Sequence, residues 1–223
     1  MRKLLLTATT LLAVPLLWAS AAQAATISIG LQEAGVNSGN ITNEGSSASG
    51  NFGISSVAYG TFDVNNVSGT GAPVLTSPDF DTNSLNATAS GAGTLHVFVT
   101  ESGLTSPNGL ENLLSSFTEN SVTSGWTVTD SVFLDNGDGI FTTTTPVSSQ
   151  AFTTIGTDQA SADETLGSLY SITVEYTIVA TGNGSSNGTV DVQGTAVPEP
   201  ASLALLGSGL LGFGMIRRRR RRS

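Results

Sequence analysis

Cysteine is absent from the 223 residues, and histidine occurs once. No disulfide framework, thiolate zinc site or cysteine nucleophile can be built from such a chain, and a histidine-rich metal centre has too few ligands. Charge is also scarce. Charged residues make up 11% of the chain, less than half the usual share of about 25%. The most telling gap is the absence of bases from the body. All eight Lys+Arg lie at the two ends, so residues 4–216 contain none. Sixteen of the 17 Asp+Glu fall between residues 25 and 196, which gives that stretch a charge close to −16 behind the formal −9 of the whole chain. Such a body repels nucleic acid and anionic membranes and attracts divalent cations weakly. It has no P-loop and no base to neutralise a phosphoryl group. With essentially no internal salt bridges, its stability must come from apolar burial and backbone hydrogen bonds.

The ends read as addresses. Arg2 and Lys3 precede an apolar stretch, residues 4–18, broken only by Thr7, Thr9, Thr10 and Pro15. Ala22-Gln23-Ala24 is a small-x-small site. This is the pattern of a secretory signal peptide, residues 1–24, cut by signal peptidase after Ala24. Its apolar core is short for an uncleaved anchor. At the other end, residues 201–216 are apolar and are followed by Arg217, Arg218, Arg219, Arg220, Arg221 and Arg222. Sixteen helical residues reach roughly 24 Å against a hydrocarbon core of about 30 Å, and long Arg side chains snorkel across part of the deficit. Gly207, Gly209, Gly212 and Gly214 are ordinary in membrane helices. A transmembrane helix with its Arg block held in the cytoplasm places the preceding chain outside, in agreement with the signal peptide. A nucleic-acid or nuclear-localisation patch does not suit a basic hexamer that ends an acidic, exported chain. Ahead of the apolar run, Val197-Pro198-Glu199-Pro200 can continue neither a helix nor a central strand. It offers an extended stretch at the membrane surface.

This ordered arrangement resembles the PEP-CTERM sorting signal, over residues 197–223. The resemblance implies an integral-membrane exosortase as partner, which recognises Glu199 and its flanking prolines and cleaves the tail. It also implies an inner-membrane intermediate, followed by the cell surface or extracellular matrix of a Gram-negative, often biofilm-forming or exopolysaccharide-producing bacterium. Exopolysaccharide is a further implied partner. A permanent anchor is the simpler alternative for the same tail. The resemblance concerns sorting and is silent about residues 25–196.

That body is a secreted domain by its pattern. Residues 26–31 alternate, with Ile27, Ile29 and Leu31 on one face. Leu95, Val97 and Val99 alternate with His96, Phe98 and Thr100, and Tyr170, Ile172, Val174, Tyr176 and Ile178 share a face. Residues 126–134 and the pair Val190 and Val192 read as strands, and residues 52–54 and 58–64 as weaker ones. The Asn136-Gly137 pair predicts a type I′ hairpin between residues 132–134 and 140–142. The Gly-rich stretch 181–188 predicts a second hairpin. Leu110, Leu113, Leu114 and Phe117 fall at i, i+3, i+4 and i+7 and predict one short helix. Residues 35–51 and 69–92 look least ordered. The fold class expected is therefore all-β, an antiparallel β-sandwich with one short helix.

Sites for chemistry are few. Asp135, Asn136 and Asp138 resemble half of a calcium loop, but position one would be Leu134 and position twelve Thr145, neither a suitable ligand. A hairpin turn is the first reading and a weak Ca2+ site the second, with no other cofactor expected. Asp79 and Asp81 flank Phe80 in what reads as a solvated loop. His96 reads as a half-buried strand histidine, since no G-x-S-x-G element accompanies it. Asp163 and Glu164, adjacent on a strand, point to opposite faces and cannot form a glycosidase pair by themselves. A non-enzymatic exported surface or matrix protein is the expected function. A calcium-dependent adhesin or carbohydrate-binding module, and a secreted hydrolase with an unidentified site, are the alternatives. One outcome follows from the base-free body alone: trypsin yields no fragment beginning between residues 5 and 217, from folded or unfolded protein, as peptide mass mapping would check.

Overall fold

The computed structural model describes residues 25–197. The predicted signal peptide with Ala22 and Ala24, the motif residues Pro198, Glu199 and Pro200, the apolar run predicted to span the membrane and Arg217 to Arg222 lie outside the described residues. Among those described, no helix is long and apolar enough to cross a membrane.

Twelve strands account for most of the domain: β1 (Thr26–Glu33), β2 (Thr42–Ser47), β3 (Asn51–Tyr59), β4 (Phe62–Thr70), β5 (Phe80–Ala89), β6 (Ala92–Leu104), β7 (Gly109–Val122), β8 (Thr127–Asp135), β9 (Thr145–Phe152), β10 (Gly156–Leu166), β11 (Tyr170–Thr181) and β12 (Gly184–Ala196). They form two six-stranded antiparallel sheets, in the orders β2-β1-β6-β11-β8-β9 and β10-β7-β12-β5-β4-β3. The inward faces meet in one core. Every apolar residue of the predicted β11 stripe, from Tyr170 to Ile178, is fully buried, alongside Ile27, Ile29, Leu31, Leu95, Val97 and Val99. Trp126, Phe62, Phe80 and Phe117 fill the larger volumes. The two-sheet, antiparallel, all-β architecture is thus the one the alternation predicts.

The predicted short helix is a strand. Residues 109–122 form β7, paired with β10 on one side and β12 on the other. The helical spacing was a coincidence of two faces: Leu113 and Phe117 point inward, while Leu110 and Leu114 lie on the outer face. Glu111, Ser115 and Glu119 share the inward face and are buried, so polar residues conceal the period of two. The only helical segment among the described residues is a single 3-10 turn, Asn37–Gly39.

Both predicted hairpins also differ. Residues 132–134 pair with residues 145–148 of β9, not with residues 140–142, so the connection is a nine-residue loop rather than a two-residue turn. The link after Thr181 is not a hairpin either. β11 belongs to one sheet and β12 to the other, and only residues 182–183 separate them. Finally, the stretch 69–92 contains β5, a central strand. Its inward set changes phase, from Phe80 and Thr82 to Leu85, Ala87 and Ala89. Ser84 at φ 53° and a register shift against β4 mark the bulge that causes it.

The strand assignment of residues 109–122 is testable through two side chains a helix would have treated alike. Phe117→Ala should cost about 3–5 kcal/mol, whereas Leu110→Ala should stay within about 0.5 kcal/mol, both read by urea denaturation.

Candidate functional site

The β8–β9 loop organises itself around Asp135. Its Oδ1 accepts the Gly137 N–H at 2.8 Å and its Oδ2 the Gly139 N–H at 2.9 Å. Asn136 faces another way: its Nδ2 donates to Thr165 O at 3.0 Å and its Oδ1 accepts Gly167 N–H at 2.7 Å. Asp138 turns to a third partner, accepting Gly103 N–H at 2.6 Å. The three candidate cation ligands therefore diverge: Asp135 closes the loop on itself, while Asn136 and Asp138 tie it to two different segments by amide and charge-assisted hydrogen bonds. Beyond them the loop lies back on the outer face of β6 and β11. Phe141 N–H donates to Thr100 Oγ1 at 3.0 Å, and Ser171 Oγ donates to Gly139 O at 2.7 Å. The Phe141 ring covers Gly30, where a Cβ would come within 2.9 Å of it.

His96 lies on the same outer face, half-buried. Its Nδ1 meets Glu175 Oε1 at 2.7 Å, and Thr177 Oγ1 approaches the same nitrogen at 3.2 Å. A nucleophile in a hydrolytic triad sits on the ring nitrogen opposite the carboxylate. Here hydroxyl and carboxylate share one nitrogen, an arrangement that orients the ring without activating the hydroxyl. Asp163 accepts a hydrogen bond from Asn112 Nδ2 at 2.7 Å and, with Glu164, lines the outer strand β10.

Sequence reading did not reveal that acids enter the core. Glu33, Glu101, Glu111, Glu119 and Asp130 are all buried. Two are satisfied by backbone at least in part: Glu33 accepts Thr61 N–H and Oγ–H, and Glu101 Oε1 accepts Ala72 N–H at 2.6 Å. Glu101 Oε2 and both carboxyl oxygens of Glu119 and Asp130 have no hydrogen-bond partner among the described residues. Glycine makes the room in two places: a Cβ on Gly71 would overlap the Glu101 carboxyl, and one on Gly188 the Glu119 carboxyl. Burial pushes Asp130 up to about 8, helped by the nearby Glu119. It pushes Glu119 to about 7 against a small opposing effect of the Asn187 N–H. Glu101 also rises to about 7 by burial, partly offset by its Ala72 hydrogen bond. Tyr176, hydrogen-bonded to Thr82 Oγ1, lies beside Asp130 and Glu119, and its hydroxyl is raised well above its ordinary value by burial and then by the Asp130 charge.

A further acidic group occupies the outer face of the other sheet. Asp81 and Asp191 are direct cross-strand partners on β5 and β12. Burial, and then Asp81, raise Asp191 to about 6. Asp79 Oδ1 accepts Gly194 N–H at 3.2 Å nearby, and Leu75 and Gln193 complete an open depression around them. Asp79 and Asp81 are thus fixed against β12 rather than free in a solvated loop. Among the described residues, no group of three or more His, Asp or Glu side chains is placed to hold a metal ion.

Comparison with known proteins locates one family feature. Residues 196–221 match the model of the PEP-CTERM protein-sorting motif. No curated protein matches the chain. Among solved structures, the chain is similar to a chain in "Structure of infectious bursal disease virus Gx strain", at 12% identity and a TM-score of 0.26. The match covers 75% of this chain and 55% of that one. The chain therefore spans about half of that viral chain, and the likeness is too remote to carry an argument.

The buried acids set the pH dependence of stability. The folded pKa values of Glu101, Glu119 and Asp130 lie above the unfolded ones, so between about pH 4 and pH 8 the folded state holds protons that the unfolded state has released. Stability is then complete at acid pH and falls as pH rises through that window. The urea midpoint should be lower at pH 8 than at pH 5. Asp130→Asn should flatten the profile and stabilise the protein at pH 8, by on the order of 1–3 kcal/mol.

Proposed function

We propose that this chain is a non-enzymatic, exported surface or matrix protein that is delivered through its PEP-CTERM tail and cleaved there by an exosortase. The match at residues 196–221 carries the reading. That motif implies export, membrane-associated processing and an exosortase as processing partner. Proline sets where the β-domain's last ladder can end. Val197 N–H donates to Leu110 O at 3.2 Å, extending the β12–β7 ladder by one residue, and Pro198 has no N–H with which to continue it. Glu199 then stands between two prolines, beyond the last paired strand. In this reading the apolar run holds the substrate in the bilayer, and the Arg block keeps its own end in the cytoplasm.

The body contributes a non-catalytic, anionic module. Its Ser and Thr side chains, 52 of the residues between 25 and 196, suit the outer faces of strands. The diverging side chains of Asp135, Asn136 and Asp138 give a calcium-dependent role no support, and the shared nitrogen of His96 gives a hydrolytic role none.

Mass spectrometry of the protein from its native host tests the proposal. Mature protein should lack the six C-terminal arginines, and Glu199→Ala should cause an Arg-terminated, membrane-bound precursor to accumulate. An intact Arg-terminated C-terminus on the mature protein, in a host with an active exosortase, would refute processing.

A further inference from the structure

The sandwich has two poles, and the described chain both begins and ends at the same one. Thr26 pairs with Ser102 near the end of β6, and Ala196 pairs with Glu111 near the start of β7. The four residues 105–108 join those strands across this pole. The loops 48–50, 71–79, 136–144 and 167–169 emerge there too. Only Pro198, Glu199 and Pro200 separate Val197, fixed by its bond to Leu110, from the apolar run that starts at Ala201. Whatever their conformation, four residue steps span at most about 14 Å. With the run in the bilayer, this pole cannot leave the headgroup region.

Its surface chemistry suits that place. Val74 is 60% exposed, Leu110 49% and Leu169 43%. Val74 and Leu169 sit on two of the pole's loops, and Leu110 is the very residue that holds Val197. Ile140, also exposed, lies on the loop 136–144 where that loop turns back over the outer face. The acids of these loops are tied in. Asp79 accepts Gly194 N–H, and Asp138 accepts Gly103 N–H. Neither is fully exposed, although the body as a whole is strongly anionic. Exposed apolar side chains beside loop carboxylates that are already hydrogen-bonded to backbone N–H are what a lipid headgroup layer tolerates.

We infer that the tail-bearing pole is a membrane-docking surface, with Val74, Leu110 and Leu169 entering the headgroup boundary of a bilayer while the tail is inserted. The inference rests on the proposed function, because it needs the tail in the membrane. The bilayer it fits is zwitterionic, since anionic lipid opposes the charge of the body.

The chain has no cysteine, so single substitutions report cleanly. Val74→Cys, Leu110→Cys and Leu169→Cys are labelled with an environment-sensitive fluorophore in the full-length chain. The chain is reconstituted into phosphatidylcholine vesicles carrying a quencher just below the headgroups. Ile155→Cys and Val179→Cys serve as controls, because both residues are exposed and apolar but lie at the opposite pole. Quenching should be several-fold stronger at the three tail-pole positions. It should persist when a twelve-residue Gly/Ser insert separates Val197 from Pro198, and weaken when Val74→Ser, Leu110→Ser and Leu169→Ser are combined two at a time around the labelled site. Vesicles containing phosphatidylglycerol should give weaker quenching. Equal quenching at both poles of a chain that floats with the vesicles overturns the inference, as does loss of tail-pole quenching on linker insertion, which would reduce the contact to tethering. Tail-pole shielding that appears only with co-reconstituted exosortase also overturns it, in favour of a protein partner. A chain that fails to float with vesicles defeats the proposed function itself, a separate result. Buried Trp126 emission checks that each variant is folded.

Discussion

The absence of a cationic side chain from residues 4–216 governs everything else in this domain. A buried carboxyl elsewhere finds an arginine or lysine. Here it finds a backbone N–H, a hydroxyl or a proton. Glu33 and Glu101 take backbone donors, and Asp135 and Asp138 use the same currency at the surface. Glu119 and Asp130 have no such donor in hydrogen-bonding geometry, and isolated charge in a low-dielectric core is too costly to persist. Burial raises the pKa of both groups, so the fold is most stable where they are protonated and loses stability as they ionise. Apolar burial across two six-stranded sheets must carry the fold against that cost.

How far the sequence disclosed this structure depends on what lies inward. β1, β6 and β11 present apolar stripes to the core and were legible from alternation alone, and β8 was legible from Val128, Val132 and Leu134 although Asp130 stands between them on the same face. β7 was not, because Glu111, Ser115 and Glu119 occupy inward positions and only Leu113 and Phe117 signal the face. β5 was hidden by a bulge that shifts its inward set by one residue, and the edge strands β2, β9 and β10 by having little to bury. Asn136-Gly137 misled for a related reason. The pair does form a turn, closed by Asp138 N–H to Asp135 O at 3.2 Å, but the chain runs on into a longer loop because Asp135, Asn136 and Asp138 each find a distinct partner along it and on neighbouring segments. The interior acids left no sequence signal, since a carboxylate's destination is a matter of register. A two-residue count from Phe117 to Glu119 would have placed Glu119 inward only once β7 was known to be a strand. The sorting tail was the opposite case. Its elements are contiguous in the chain, so their order alone was sufficient.

Topology joins the two parts of the molecule. β12 is the last strand in the chain and a central one in its sheet, with β7 on one side and β5 on the other. Until it arrives, that sheet is two fragments, β10-β7 and β5-β4-β3, with facing edges unpaired. Its contacts lie about a hundred residues away in β5 and about seventy in β7, so closure demands nearly the whole domain. The segment that completes the sheet is the one that ends at the sorting motif.

That placement constrains where the tail can be removed. A cut within β12 would take ladder partners from both neighbours and expose the Val190 and Val192 side chains that the core buries. A cut beyond Pro198 leaves all of the described β12 ladder in place, up to the Val197 N–H bond to Leu110 O. The boundary between what folding needs and what sorting needs therefore falls between Val197 and Pro198. Pro198, which lacks the N–H that would continue the ladder, thus stands where the described central strand ends and the matched motif begins. A strand with a weaker stop, or a motif placed a few residues earlier, would make release and unfolding the same event.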